Sequence, residues 1–114
     1  MKLITKPIRE ALIRNGALSA AGEDTARLKP VLKLFTPWAG ATWLITEMDA
    51  DGDRMFGLAD LGLGMPELGY ASLQELQSLT GPAGIKVERD RHFEATMTLA
   101  EYAEAARAAG RIAA

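Results

Sequence analysis

Ile8, Ala11 and Leu12 recur at helical spacing just behind Pro7, and Asn15-Gly16 offers a left-handed stop. A short N-terminal helix is therefore expected, followed by a loop over residues 17–29, rich in Ala, Gly and charge. From Pro30 the apolar spacing becomes that of strands. Residues 31–35 (VLKLF) predict one strand, closed by Pro37, which has no N–H to give to a central ladder. Residues 41–48 (ATWLITEM) predict a second, Asp51-Gly52 a hairpin turn, and residues 54–61 (RMFGLADL) a third. A glycine-spaced loop over 62–70 follows. Ser72 with Glu75, and Thr98 with Glu101, have the spacing of capping boxes and open two later helices. The first stops at Gly81-Pro82 and the second at Gly110. Between them residues 85–93 (IKVERDRHF) predict a fourth strand. Leu99, Tyr102, Ala103 and Ala106 give the last helix one apolar stripe, suited to docking on a sheet.

The expected fold is α+β. A single domain over residues 1–114 has a mainly antiparallel sheet of about four strands, with N-terminal, short middle and C-terminal helices. A two-residue turn at Asp51-Gly52 pairs Glu47 with Phe56, Ile45 with Leu58 and Trp43 with Asp60. Directly paired side chains share a face. Trp43, Ile45, Phe56 and Leu58 are then expected on one face, with Leu44, Met48, Met55 and Ala59 on the other. Both faces are apolar, so helices cover both or one meets a partner.

Composition narrows the function classes. The chain has 114 residues, 13 Lys plus Arg against 15 Asp plus Glu, and no Cys. A net charge of -2 speaks against a strongly basic nucleic-acid binder and against a polyanionic DNA mimic alike. Disulfides, thiolate metal sites and a cysteine nucleophile are excluded. Of the hydrophobic residues 20 are Ala, so 15 Leu and seven aromatics must supply most of the burial energy. No apolar stretch is long enough for a membrane span, and the opening MKLITKPIRE lacks the pattern of a signal peptide. A cytoplasmic location is expected.

Candidate chemistry is sparse. Asp49, Asp51, Asp53 and Asp60 imitate a calcium loop, but Arg54 stands where that loop needs glycine, so a solvated hairpin turn is the better reading. Glu47, Asp60, Glu67 and Glu88 would suit Mg²⁺ or Mn²⁺ if they converged. The expected register instead puts Glu47 and Asp60 about 14 Å apart along the ladder. Glu88, Asp90 and His92 alternate on one strand and form a second conceivable metal or acid–base set. Arg89 and Arg91 occupy the opposite phase, which fits a solvent-facing edge strand. Gly62-Leu63-Gly64 lacks the third glycine of a dinucleotide fingerprint. Lys2, Lys6 and Arg9 offer a small basic surface near the N-terminus, a weak basis for nucleic-acid binding.

The central block carries a resemblance. Phe35-Thr36-Pro37, Thr42-Trp43-Leu44, Glu47, Phe56-Gly57-Leu58, Asp60-Leu61-Gly62, Pro66-Glu67-Leu68-Gly69 and Glu88-Arg89-Asp90 stand in an order and spacing that resembles a bacterial family. That family is catalogued as domain of unknown function 2958. The resemblance spans roughly residues 1–112 and is most specific over 33–93. It implies an accessory role on plasmids and integrative elements, and some similar sequences carry the label of a single-stranded DNA endonuclease. It implies no catalytic residues.

Two functions are therefore carried forward. The first is a non-enzymatic interaction protein of a mobile element, modulating a host defence or DNA-processing protein without a cofactor. Its expected partner surface is Trp43, Glu47, Phe56, Asp60, Glu67 and Tyr70. The second is a metal-dependent DNA endonuclease using Mg²⁺ or Mn²⁺ on Asp60, Glu67, Glu88, Asp90 and His92. Charge is unevenly spread: residues 1–33 sum to +4, residues 34–81 to -6, and residues 82–114 balance. An acidic, aromatic-bearing centre favours a protein partner, and a basic one, over phosphate.

Overall fold

A computed structural model describes residues 2–114. Helix α1 (Lys6–Ala20) opens at Thr5, whose hydroxyl accepts the N–H of Ile8. It does not stop at Asn15-Gly16. Gly22, at φ +95°, makes the left-handed turn instead. Gly16 serves the helix interior: a Cβ there would stand 2.0 Å from the carbonyl oxygen of Met48, so only glycine lets the helix backbone lie directly on the sheet.

Five antiparallel strands form one sheet in the order β4-β3-β2-β1-β5. They are β1 (Leu32–Phe35), β2 (Thr42–Met48), β3 (Arg54–Asp60), β4 (Glu67–Ser72) and β5 (Glu88–Arg89). Strand β4 occupies part of the stretch expected to be a loop, so the sheet has five strands rather than about four. Gly69 and the preceding Pro66 obscured the alternation of Leu68, Tyr70 and Ser72. Strand β5 is far shorter than residues 85–93. Asp90 accepts the N–H of His92 and so turns the chain away from the ladder.

The β2–β3 hairpin has the expected register near its turn, where Glu47 faces Phe56 and Met48 faces Met55. A bulge between Ile45 and Glu47 then shifts the ladder, so Trp43 faces Ala59 rather than Asp60, and Leu44 faces Leu58. Thr46 is the extra residue, and its carbonyl accepts the side-chain N–H of Asn15 at 2.9 Å. The expected division of faces is overturned. Trp43, Ile45, Met48 and Met55 pack together under α1 and helix α2 (Leu73–Ser78). Leu44 and Leu58, with Phe56 and Leu68 beside them, pack on the other face under helix α3 (Leu99–Ala109). Helices therefore cover both faces of the sheet.

Acidic residues around the hairpin turn each have a local partner. One carboxylate oxygen of Asp51 accepts the N–H groups of Asp53 and Arg54, which hold its pKa below the ordinary value. Asp53 accepts the Ser72 hydroxyl and the Gln74 N–H, both at 2.7 Å, at the start of α2. Ser72 caps the N–H of Glu75 as expected, but the Glu75 side chain makes no reciprocal contact among the described residues. The carboxylate at this helix start is that of Asp53, on the Ser72 hydroxyl and the Gln74 N–H. At α3 the reciprocal box of Thr98 and Glu101 is complete, and Gly110 closes the helix at φ +75°.

Candidate functional site

The residues expected to share a partner surface divide into three groups. Trp43 is buried beneath α1, on the face opposite Phe56. Glu47 and Asp60 are buried and internally satisfied. Glu47 accepts the hydroxyl of Thr25, and Asp60 accepts the N–H groups of Gly62 and Ile112, each at 2.9 Å. Both carboxylates serve the fold. Only Phe56, Glu67 and Tyr70 remain at an accessible edge.

The metal-ligand set is dispersed as well. Asp60, Thr42, Phe35 and Glu88 lie in one row across β3, β2, β1 and β5, so Asp60 and Glu88 are three strand spacings apart, about 14 Å. Glu67 is on β4 at the far edge from Glu88, about 19 Å by the same spacing. Asp90 pairs with Lys33 at 3.5 Å. Among the described residues, no group of three or more Asp, Glu or His side chains is gathered as a metal site requires. The basic trio separates too. Arg9 donates to the carbonyl of Gly52 in the hairpin turn, whereas Lys2 lies outside α1 and lines a cavity beside β5.

One accessible arrangement does emerge, on strand β4. The N–H of Leu73 donates to the carbonyl of Asp53, which sets the phase of the ladder between β3 and β4. In that phase Glu67, Gly69 and Ala71 bond inward, and the N–H and C=O groups of Leu68 and Tyr70 point outward from the sheet. Tyr70 is 61 % exposed and packs edge-on against Phe56, with ring centroids 5.1 Å apart. The Arg54 guanidinium lies 3.7 Å over the Tyr70 ring and fixes its outer surface.

The loop that feeds β4 extends this edge. Leu61, Leu63 and Met65 are 59 %, 77 % and 70 % exposed, separated by Gly62 and Gly64, both at φ +79°. Left-handed glycines let three large apolar side chains project in succession without a helix or strand to bury them. Sequence reasoning weighed these glycines only against a dinucleotide fingerprint. The signal it passed over was the large residues between them: Leu61, Leu63 and Met65 alternate with glycine directly ahead of a strand. Free backbone groups beside exposed apolar side chains form an edge to which an extended segment can add.

Fold and edge together define a small domain with one antiparallel sheet between helical layers and an unpaired edge along β4. The chain belongs to the family described as "Protein of unknown function (DUF2958)", which residues 3–113 match. Neither the curated proteins nor the solved structures contain a match.

Proposed function

We propose that this chain is a non-enzymatic interaction protein that receives an extended segment of a protein partner along β4. The exposed Leu61, Leu63 and Met65 beside the outward backbone groups of Leu68 and Tyr70 carry this reading. A partner strand would satisfy those groups, and its alternate apolar side chains would cover the loop. Glu67 at the start of the edge, and the -6 charge of residues 34–81, favour a segment with basic residues. The mobile-element setting implied by the resemblance makes a cytoplasmic host protein that defends or processes DNA the natural partner. The internal roles of Glu47 and Asp60 support a binding function over carboxylate catalysis.

Photo-cross-linking from position 63 in cells, followed by peptide mapping, tests the reading. The expected product joins this chain to an extended segment of one partner. Tyr70→Pro removes an outward N–H but no bond to β3, and is expected to abolish the product while the domain stays folded. A folded Tyr70→Pro variant that cross-links as well as the wild type would count against strand addition.

A further inference from the structure

A cavity of about 610 Å³ lies at the other edge of the sheet, between the N-terminal segment, α2 and β5. Four cations line it: Lys2, Lys86, Arg89 and Arg91. Glu88 is the one carboxylate among the lining residues, and the ladder turns it toward the α3 face, away from Arg89. Arg89 faces the α1 side opposite Leu34, and Arg91 follows two positions on.

None of the four cations is neutralised by an acid within the described residues. The ion pairs there are Lys33 with Asp90 and Arg54 with Asp49. Lys86 donates to the hydroxyl of Thr80 at 2.8 Å and Arg89 to the carbonyl of Leu3 at 2.7 Å; both partners are neutral, and neither removes charge. A chain of net charge -2 therefore gathers four positive groups into one concavity. Like charges at this density repel one another, and an anion placed among them relieves that repulsion.

The second cavity, across β5, differs. There Lys33 is already paired with Asp90. Arg89 and Arg91 line both cavities, and on the α1 side the one lining acid, Glu88, forms no ion pair with any of the four cations among the described residues. The lining on that side also includes the half-buried Leu3 and buried Val87, which give a patch of apolar wall, and the Gln77 amide. Such a volume is within the range of small-ligand sites.

We infer that this cavity binds a phosphate ester. Arg89 at the end of β5 and Arg91 in the turn that follows, with two lysines, suit a group carrying more than one negative charge, and guanidinium forks match phosphate oxygens in pairs. The apolar wall and the Gln77 amide would meet the organic part of the ligand. A free nucleotide and the backbone of a single strand of DNA present this same chemistry. The inference concerns the edge opposite β4 and does not depend on the partner proposed there.

The test is amide-resolved NMR titration of the full chain with inorganic phosphate, AMP and a ten-residue oligothymidylate, at low and high salt. Shifts are expected at Gln77, Lys86, Arg89 and Arg91. Binding is expected to weaken at least about tenfold in the Lys2→Glu/Arg91→Glu double variant, whose two exposed positions leave the fold intact. Response to phosphate and AMP alone identifies a small ligand, whereas tighter, steeply salt-dependent binding of the oligonucleotide identifies a strand; either supports the site. Arg54→Glu, at the opposite edge, is expected to bind like the wild type. No shift at these amides with any probe at millimolar concentration would overturn the inference. So would a folded double variant of unchanged affinity, or equal weakening by Arg54→Glu.

Discussion

Asp60 and Ile112 are 52 positions apart in the chain, yet the carboxylate of one accepts the backbone N–H of the other at 2.9 Å. Its second oxygen holds Gly62 N–H at the same distance. One buried side chain therefore fastens both the C-terminal tail and the start of the β3–β4 loop to the end of β3. Hydrogen bonds to charged groups contribute about 1.5–3 kcal/mol each, so Asp60→Ala should destabilise the domain by about 3–5 kcal/mol. Urea unfolding would show this, and hydrogen exchange at Ile112 would quicken. A surface carboxylate without such internal partners would change stability by less than about 0.5 kcal/mol when replaced.

Gly16 separates helix propensity from packing. In an isolated helix Gly→Ala gains about 1 kcal/mol. Here the added methyl would meet the carbonyl oxygen of Met48 at 2.0 Å, and backbone on both sides must move to admit it. Gly16→Ala should lose about 1–3 kcal/mol, as overpacked sites do. Gly22→Ala is strained for a different reason, its φ of +95°, with nothing within 4 Å of the new Cβ. Chemical denaturation of the two variants, with far-ultraviolet circular dichroism of the folded forms, checks the expectation. Only Gly16→Ala should disturb the docking of α1.

The bulge at Thr46 gives two opposite effects at one place. Asn15 satisfies the Thr46 carbonyl, so Asn15→Ala leaves a backbone acceptor without that bond and should cost about 1–2 kcal/mol. The Thr46 hydroxyl is fully buried and has no hydrogen-bond partner among protein atoms. Thr46→Val keeps the shape and removes the unsatisfied group, and should stabilise the domain by about 1 kcal/mol. Thermal unfolding of both variants measures the two signs together. A loss of stability in Thr46→Val would show that the hydroxyl is paired in solution.

The same bulge marks where the sequence stopped being legible. Alternation and turn chemistry placed β1, β2, β3 and the two later helices, and the pairing of Glu47 with Phe56 follows directly from the turn. An inserted residue such as Thr46 leaves no mark in a hydrophobic pattern, because TWLITEM reads as apolar in either phase. One unpaired position therefore moved Trp43 to the opposite face from Phe56 and dissolved the expected aromatic patch. Asn15-Gly16 was misread for a related reason. Its composition is that of a helix stop, but its role is tertiary: the amide reaches the bulge and the missing Cβ admits the strand. Buried carboxylates are no easier to recognise, since Asp60 finds its partner at Ile112 only after the chain has folded. The edge at β4 was in view as Tyr70 and Glu67, without the strand that presents them.

The capping box at α3 yields a prediction in pH. The Thr98 backbone N–H, and then its hydroxyl, hold the exposed Glu101 carboxyl below its ordinary value of 4.5, with Lys29 adding a smaller pull the same way. A carboxyl whose pKa is lower folded than unfolded stabilises the fold fully above the unfolded value, and that contribution is lost as pH falls through the folded value. Glu101→Gln should therefore unfold at a lower temperature than the wild type at pH 6, and the gap should narrow as pH falls below about 4.5. Thr98→Ala removes the acceptor for the Glu101 N–H, a loss of about 1 kcal/mol that should persist at low pH. The smaller part due to the hydroxyl's contact with the Glu101 carboxylate fades as that carboxyl is protonated. Asp51 is held low in the same way by the N–H groups of Asp53 and Arg54, so some acid sensitivity should survive in Glu101→Gln. Melting curves of the wild type and both variants between pH 3 and 6 distinguish the two effects. A Glu101→Gln deficit that stayed constant over the range would assign the box a packing role and leave its charge without one.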